Sequence, residues 1–280
     1  MTAKHAREQF FALIQRRDAA IDLAEACFWI SAEANPALDV ERYQARLLDL
    51  ADGVRSRLLA SNPLEERVAL LTRYLFAEEK FRGNRGDFYD PGNSYLDCVL
   101  DRRTGIPITL SILWLAVAQR LEIPAYGVGF PGHFLVGVTG ETPGDSPIFV
   151  DAFSGTLLSS DDCRARLHDM SDGEIRFEPG MLAATSPRQI LSRVLRNLKQ
   201  IHIQASDFRQ AITCIDRILM LEPDQASELR DRGLLHRALE CWTSAREDLE
   251  RFVALAPDAA GEMGLRNVLE ELQDRTAHIH

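Results

Sequence analysis

The sequence has no paired cysteines. Cys27, Cys98, Cys163, Cys214 and Cys241 are scattered, and no two stand at C-x-x-C spacing. An odd, dispersed set excludes a disulfide framework and fits free thiols in a reducing cytosol. A long hydrophobic run is missing too. The longest, Ile106 to Ala118, is thirteen residues and is broken by Thr109 and Ser111. A membrane-spanning helix needs about 20 apolar residues, so this run reads as a buried core helix. The first twenty residues place charges where a secretory signal needs an apolar stretch, so a cytoplasmic protein is expected.

Positive charge is in short supply. The formal net charge is −10, which excludes a dedicated nucleic-acid or anionic-membrane binder and leaves room only for a local basic patch. Neither G-x-x-x-x-G-K-[ST] nor G-x-G-x-x-G occurs, so no nucleotide cofactor is expected. The histidines, His5, His133, His168, His202, His236, His278 and His280, form no ligand spacing with a cysteine. No metal is expected.

What is present is periodicity. Up to about residue 81, four segments carry apolar residues three and four apart: AREQFFALIQRRD, AAIDLAEACFWISAEA, VERYQARLLDLADGVRSRLL and PLEERVALLTRYLFAEEKF. Asn35–Pro36 and Ser61–Asn62–Pro63 separate them, and the turn-rich segment 81–94 closes this helical part. Then the character changes. SYLDCVL is a short helix, and Pro107 suits the first turn of a helix that is apolar nearly all round. AYGVGF, HFLVGVT and PIFVDAF read as strands, with GETPGDS a hairpin loop between the last two. A central helix followed by an antiparallel meander predicts an α+β fold with helices packed on the sheet.

The C-terminal part repeats itself. Ala211 and Ala245, Arg217 and Arg251, Leu221 and Leu255, and Pro223 and Pro257 are each 34 residues apart. That is the period of the tetratricopeptide repeat. A last helix, from Ala259 to Arg275, would cap the array. The chain thus divides into a helical N-terminal region (1–93), a core (94–185) and a repeat array with its capping helix (186–280).

The segment NSYLDCVLDRRTGIPITLSILWLAVAQRLEIPAYGVGFPGHFLVGV, with the repeats behind it, resembles the bacterial SirB family. The resemblance implies a papain/transglutaminase-like core followed by tetratricopeptide repeats, and it implies fold more than activity. In the wider transglutaminase-like superfamily a cysteine opens the central helix, where the helix dipole activates the thiol. A histidine opening the next long strand acts as base, and an aspartate on the following strand orients it. Carried over, the histidine falls on His133 and the aspartate on Asp151, but the nucleophile position falls on Pro107. Proline can neither attack a carbonyl nor donate a backbone N–H to an oxyanion.

Two functional readings follow. In the first the core is degenerate: a non-catalytic interaction or regulatory protein whose cleft at His133 and Asp151 binds a peptide or small ligand. In the second, an acyl-transferase or peptide hydrolase uses a relocated nucleophile, Cys98, Thr109 or Ser111, with His133 as base and Asp151 as orienter. Asn93, Ser94, Arg102 and Arg103 would brace that cleft, unless the two arginines bind the last carbonyls of a helix. In the repeats, Arg196, Asn197 and Arg230 occupy the helices that line a concave groove, and are expected either to hold an acidic peptide partner or to be solvated.

Overall fold

The computed structural model describes residues 2–59, 61–140, 146–262 and 264–277. It divides into two units, residues 1–194 and residues 195–280.

The first unit opens with four helices: α1 (Ala3–Ile14), α2 (Leu23–Ala34), α3 (Val40–Arg55) and α4 (Leu64–Arg73). Three start where a short polar side chain can take up an orphan N–H. Thr2, Asp22 and Asp39 accept from the backbone N–H of His5, Glu25 and Arg42. Asn35, with Pro36 behind it, ends α2 as its composition demands. A short parallel pair then joins β1 (Arg82–Gly83) to β2 (Thr104–Gly105) across the helix α5 (Leu96–Arg102).

Helix α6 (Pro107–Arg120) is the axis of this unit, with Pro107 at its first turn. Ile108, Leu110, Ile112, Leu113, Trp114, Val117 and Ala118 are all buried, which explains a sequence without a polar face. Burying each large apolar side chain contributes roughly 1.5–3 kcal/mol. The indole N–H of Trp114 is satisfied at 3.1 Å by Thr72 of α4.

The sheet is an antiparallel meander, β3 (Ala125–Val128), β4 (Leu135–Val138), β5 (Ile148–Asp151) and β6 (Thr156–Leu158), in that order. Its register pairs Val136 with Gly127 on one side and with Val150 on the other. The α+β reading holds, and β6 and the helix α7 (Ser160–Met170) extend it. Leu135 and Phe149 pack with Cys163 and Leu167 of α7. The loop expected between the second and third strands falls, over residues 141–145, outside the described residues.

Helix α8 (Pro187–Gln204) carries the chain into the second unit, which continues with α9 (Phe208–Leu221), α10 (Ala226–Ala238) and α11 (Trp242–Leu255). Helices α9 and α11 have the same length and start 34 residues apart. Ala211 and Ala245 are fully buried, as the repeat requires. At Gly233 a Cβ would come within 2.8 Å of Leu249, so α10 reaches α11 only because that position carries no side chain. The expected capping helix is two helices, α12 (Pro257–Glu262) and α13 (Leu265–Ala277). Between them Gly264 takes φ +63°, which a right-handed helix cannot accommodate. Leu272 of α13 seals Ala245 and Leu249. Among the described residues no helix is long and apolar enough to cross a membrane.

Candidate functional site

The start of α6 is closed by its own hydrogen bonds. Thr109 Oγ1 accepts the backbone N–H of Ile106 at 3.2 Å and donates to the carbonyl of Asn93 at 2.7 Å. Asn93 is itself buried, accepts from Asn84 at 3.1 Å, and donates its amide to the carbonyl of Asp87 at 2.7 Å. The hydroxyl of Thr109 is therefore committed. Ser111 is fully buried, and its Oγ has no hydrogen-bond partner among the described residues. Cys98 is half-buried, and its thiol is pushed up to about 11, first by burial and then by the neighbouring Asp97. None of the three is an exposed, activated nucleophile.

His133 and Asp151 are brought together. His133 follows a turn in which its N–H donates to the carbonyl of Phe130 at 3.0 Å, with Gly132 at φ +65°. Its own carbonyl accepts from Arg193 at 2.8 Å. The Val136–Val150 register sets Asp151 diagonally across from His133, a separation that long side chains bridge. His133 Nε2 lies 2.9 Å from Asp151 Oδ1. An ionised carboxylate only accepts, so Nε2 carries the proton, and in the neutral ring Nδ1 is left as an acceptor.

Asp151 is only 2% exposed, yet it takes five donors. Besides His133 these are the backbone N–H of Phe153 at 3.0 Å and of Ser154 at 3.3 Å, Ser154 Oγ at 2.6 Å, and the Arg166 guanidinium. Burial alone would raise its pKa. The hydrogen bonds from His133, Ser154 and Arg166 outweigh that and hold the carboxyl well below the usual carboxylate range.

Phe153 fixes what surrounds the pair. Its ring meets the His133 ring edge-to-face at 6.2 Å and lies against Gly83, where a Cβ would sit 2.4 Å from ring carbons. Gly83 pairs with Gly105, two residues before Pro107. One aromatic ring thus touches both His133 and the strand alongside the entry to α6. Arg85 lies over the same ring at 5.6 Å.

Arg102 pairs with Asp90 at 2.7 Å and Arg103 with Glu79 at 2.9 Å. Ser94 is buried, its Oγ without a partner among the described residues. In the second unit Arg196 bonds Glu228 at 2.9 Å and Glu222 at 3.0 Å, and Arg230 bonds Asp231 at 2.6 Å. Asn197 is half-buried beside Arg196. Arg166, Ser154 and Phe153 escaped the sequence reading. Arg166 had a signal: Ser159 and Asp162 form the capping box that starts its helix. A cavity of about 660 Å³ also exists in the first unit, lined by Ile21, Gln119, Tyr126, Thr185 and Ile190 among others, away from His133 and Asp151. Among the described residues no group of acidic, histidine and cysteine side chains could hold a metal ion.

Residues 41–196 match the transglutaminase-like superfamily, and residues 198–270 match the tetratricopeptide repeat. A UPF0162 protein of Xylella fastidiosa is 35% identical over 268 residues, covering 94% of each chain. A UPF0162 protein of Pseudomonas aeruginosa is 32% identical over 255 residues, covering 91% of this chain and 92% of that one. F-box only protein 21 of Pongo abelii is 27% identical over 303 residues, spanning 96% of this chain but 48% of that protein. No solved structure matches. The chain belongs to the transglutaminase-like superfamily, stands among the UPF0162 proteins, and carries tetratricopeptide repeats behind its core domain.

Proposed function

We propose that this is a non-catalytic interaction or regulatory protein, built on a transglutaminase-like core that has lost its nucleophile. Its cleft at His133 and Asp151 binds a peptide without turning it over. The observation that carries this reading is the contrast at one site: the base and its orienter are held at 2.9 Å, while proline stands where the thiol belongs. The committed hydroxyl of Thr109, the sealed hydroxyl of Ser111 and the raised thiol of Cys98 support it. Tetratricopeptide repeats usually mediate contacts between proteins, which suits the same role.

Membership of the SirB family, a cytoplasmic location, and the division into 1–93, 94–185 and 186–280 are parts of the same proposal. So is a partner surface at Arg196, Asn197 and Arg230. An acidic partner there would have to exchange its carboxylates for those of Glu222, Glu228 and Asp231.

The test is an electrophilic acyl probe on the purified chain, with adducts mapped by mass spectrometry in wild type and in His133→Ala. No His133-dependent adduct is expected. A stoichiometric adduct on Cys98, Thr109 or Ser111 that disappears in the variant would make the protein an enzyme and end this reading.

A further inference from the structure

The cationic side chains of the first unit are not equivalent. Arg166 neutralises Asp151, Arg102 is taken by Asp90, and Arg103 by Glu79. Arg85 and Arg82 are exposed, and neither makes an ion pair among the described residues. Asp87, the exposed carboxylate nearest Arg85 in sequence, engages neither of them. Two guanidiniums without an ion pair thus stand on one short segment, and one of them lies over the ring that meets His133.

The segment that carries Arg85 is held in shape. Asn84 Oδ1 accepts the N–H of Asp87 at 3.0 Å, and the buried amide of Asn93 donates to the carbonyls of Asp87 and Phe88 at 2.7 and 3.2 Å. The same segment leaves Phe88 and Tyr89 exposed, at 45% and 62%. Arg85 lies over Phe153, 5.6 Å from the ring centre, and the Phe153 ring centre is 6.2 Å from that of His133. The guanidinium and the imidazole therefore share one aromatic ring as neighbour and are separated by no more than about 12 Å. An extended peptide rises roughly 3.3 Å per residue, so at most about four residues bridge that distance.

We propose that Arg85 is the anion anchor of the His133–Asp151 cleft, and that the ligand is a peptide bearing a carboxylate. Arg85 takes the carboxylate by a charge-assisted, bidentate bond. His133 Nδ1, the acceptor that Asp151 leaves unoccupied, takes a backbone N–H of the same peptide within four residues of that carboxylate. Arg82 adds positive charge at the near end. This proposal rests on the reading of the cleft as a peptide site and names the chemistry it selects.

The experiment uses three synthetic probes on the full chain: acetyl-tetraalanine as the free acid, the same peptide as the carboxamide, and acetyl-Ala-Asp-Ala-Ala carboxamide. Binding is read from ring resonances in histidine-labelled protein, with the His133 signal assigned by its loss in His133→Gln. The free acid, the aspartyl peptide or both should shift the His133 signal and bind about tenfold tighter than the plain carboxamide. The two acids tell a chain-end carboxylate from a side-chain one. Arg85→Gln should erase that tenfold preference, and Arg85→Lys should restore part of it. Equal binding of the plain carboxamide and both acids, unchanged in Arg85→Gln, would overturn the anchor and leave the cleft reading standing. If none of the probes moves the His133 signal, both fall together.

Discussion

Two kinds of arginine can be set side by side, one drawn from each unit. In the repeats, Arg196 is bound to Glu222 and Glu228, Arg230 to Asp231, and Arg232 to Asp216 and Asp248. Burial works against the charge of Arg196, but its two glutamate hydrogen bonds more than offset that and raise its pKa. In the core domain Arg85 has an aromatic ring beneath it and no carboxylate partner among the described residues. Both kinds look alike in a sequence. Arg196 and Arg232 tie helices together, Arg230 holds only its neighbour within α10, and Arg85 is left for the proposed ligand.

The sharpest way to probe this contrast is to remove the best-paired charge. Asp151→Asn leaves Arg166 without its counter-charge and weakens the donor bonds that both carboxylate oxygens accept. Breaking such a buried pair should cost about 3–5 kcal/mol in urea unfolding followed by a probe in the first unit. The same residue sets an acid limit. Its folded pKa is depressed below the roughly 3.9 of an unfolded aspartate. Its contribution is therefore complete above about pH 4 and is lost as pH falls through the folded value. An acid-unfolding curve of the wild type should fall in that range, and Asp151→Asn should flatten that part of it.

A smaller effect is expected in the repeats. Arg196→Met leaves Glu222 with Gln225 and the buried Glu228 with Lys199 alone. The loss should be about 1–3 kcal/mol, measured by thermal or urea unfolding of the full chain. Smallest of all, Arg85→Gln should leave stability within about 0.5 kcal/mol of wild type. If Arg85→Gln proved as costly as Arg196→Met, the distinction between a structural and an available arginine would fail.

Much of this was legible in the sequence, for identifiable reasons. The 34-residue spacing of Ala211 with Ala245 and Pro223 with Pro257 depends only on chain order, so the repeats were readable directly. His133 and Asp151 were readable because the family resemblance carries a base and its orienter onto successive strands, at PGHFLV and FVDAF. Arg166 was not, since it arrives from a helix whose sequence, SDDCRARLHDM, has too few apolar residues for a clear period. The pairing of Arg196 was hidden as well. Its partners Glu222 and Glu228 lie 26 and 32 residues away and meet it only after α8, α9 and α10 have packed. Gly264 was visible as a residue, but not as the left-handed break that divides the capping helix.

The ties that run from Asn84 through Asn93 to Thr109 have a kinetic consequence. They fasten an exposed segment to the first turn of the most deeply buried helix in the unit, so the segment has no slow search of its own to complete. Association with a peptide should then be a single step, with an observed rate that rises in proportion to peptide concentration. The rate constant should fall in the ordinary range of about 10⁵–10⁷ M⁻¹ s⁻¹. Differences among ligands would appear in how long each one stays.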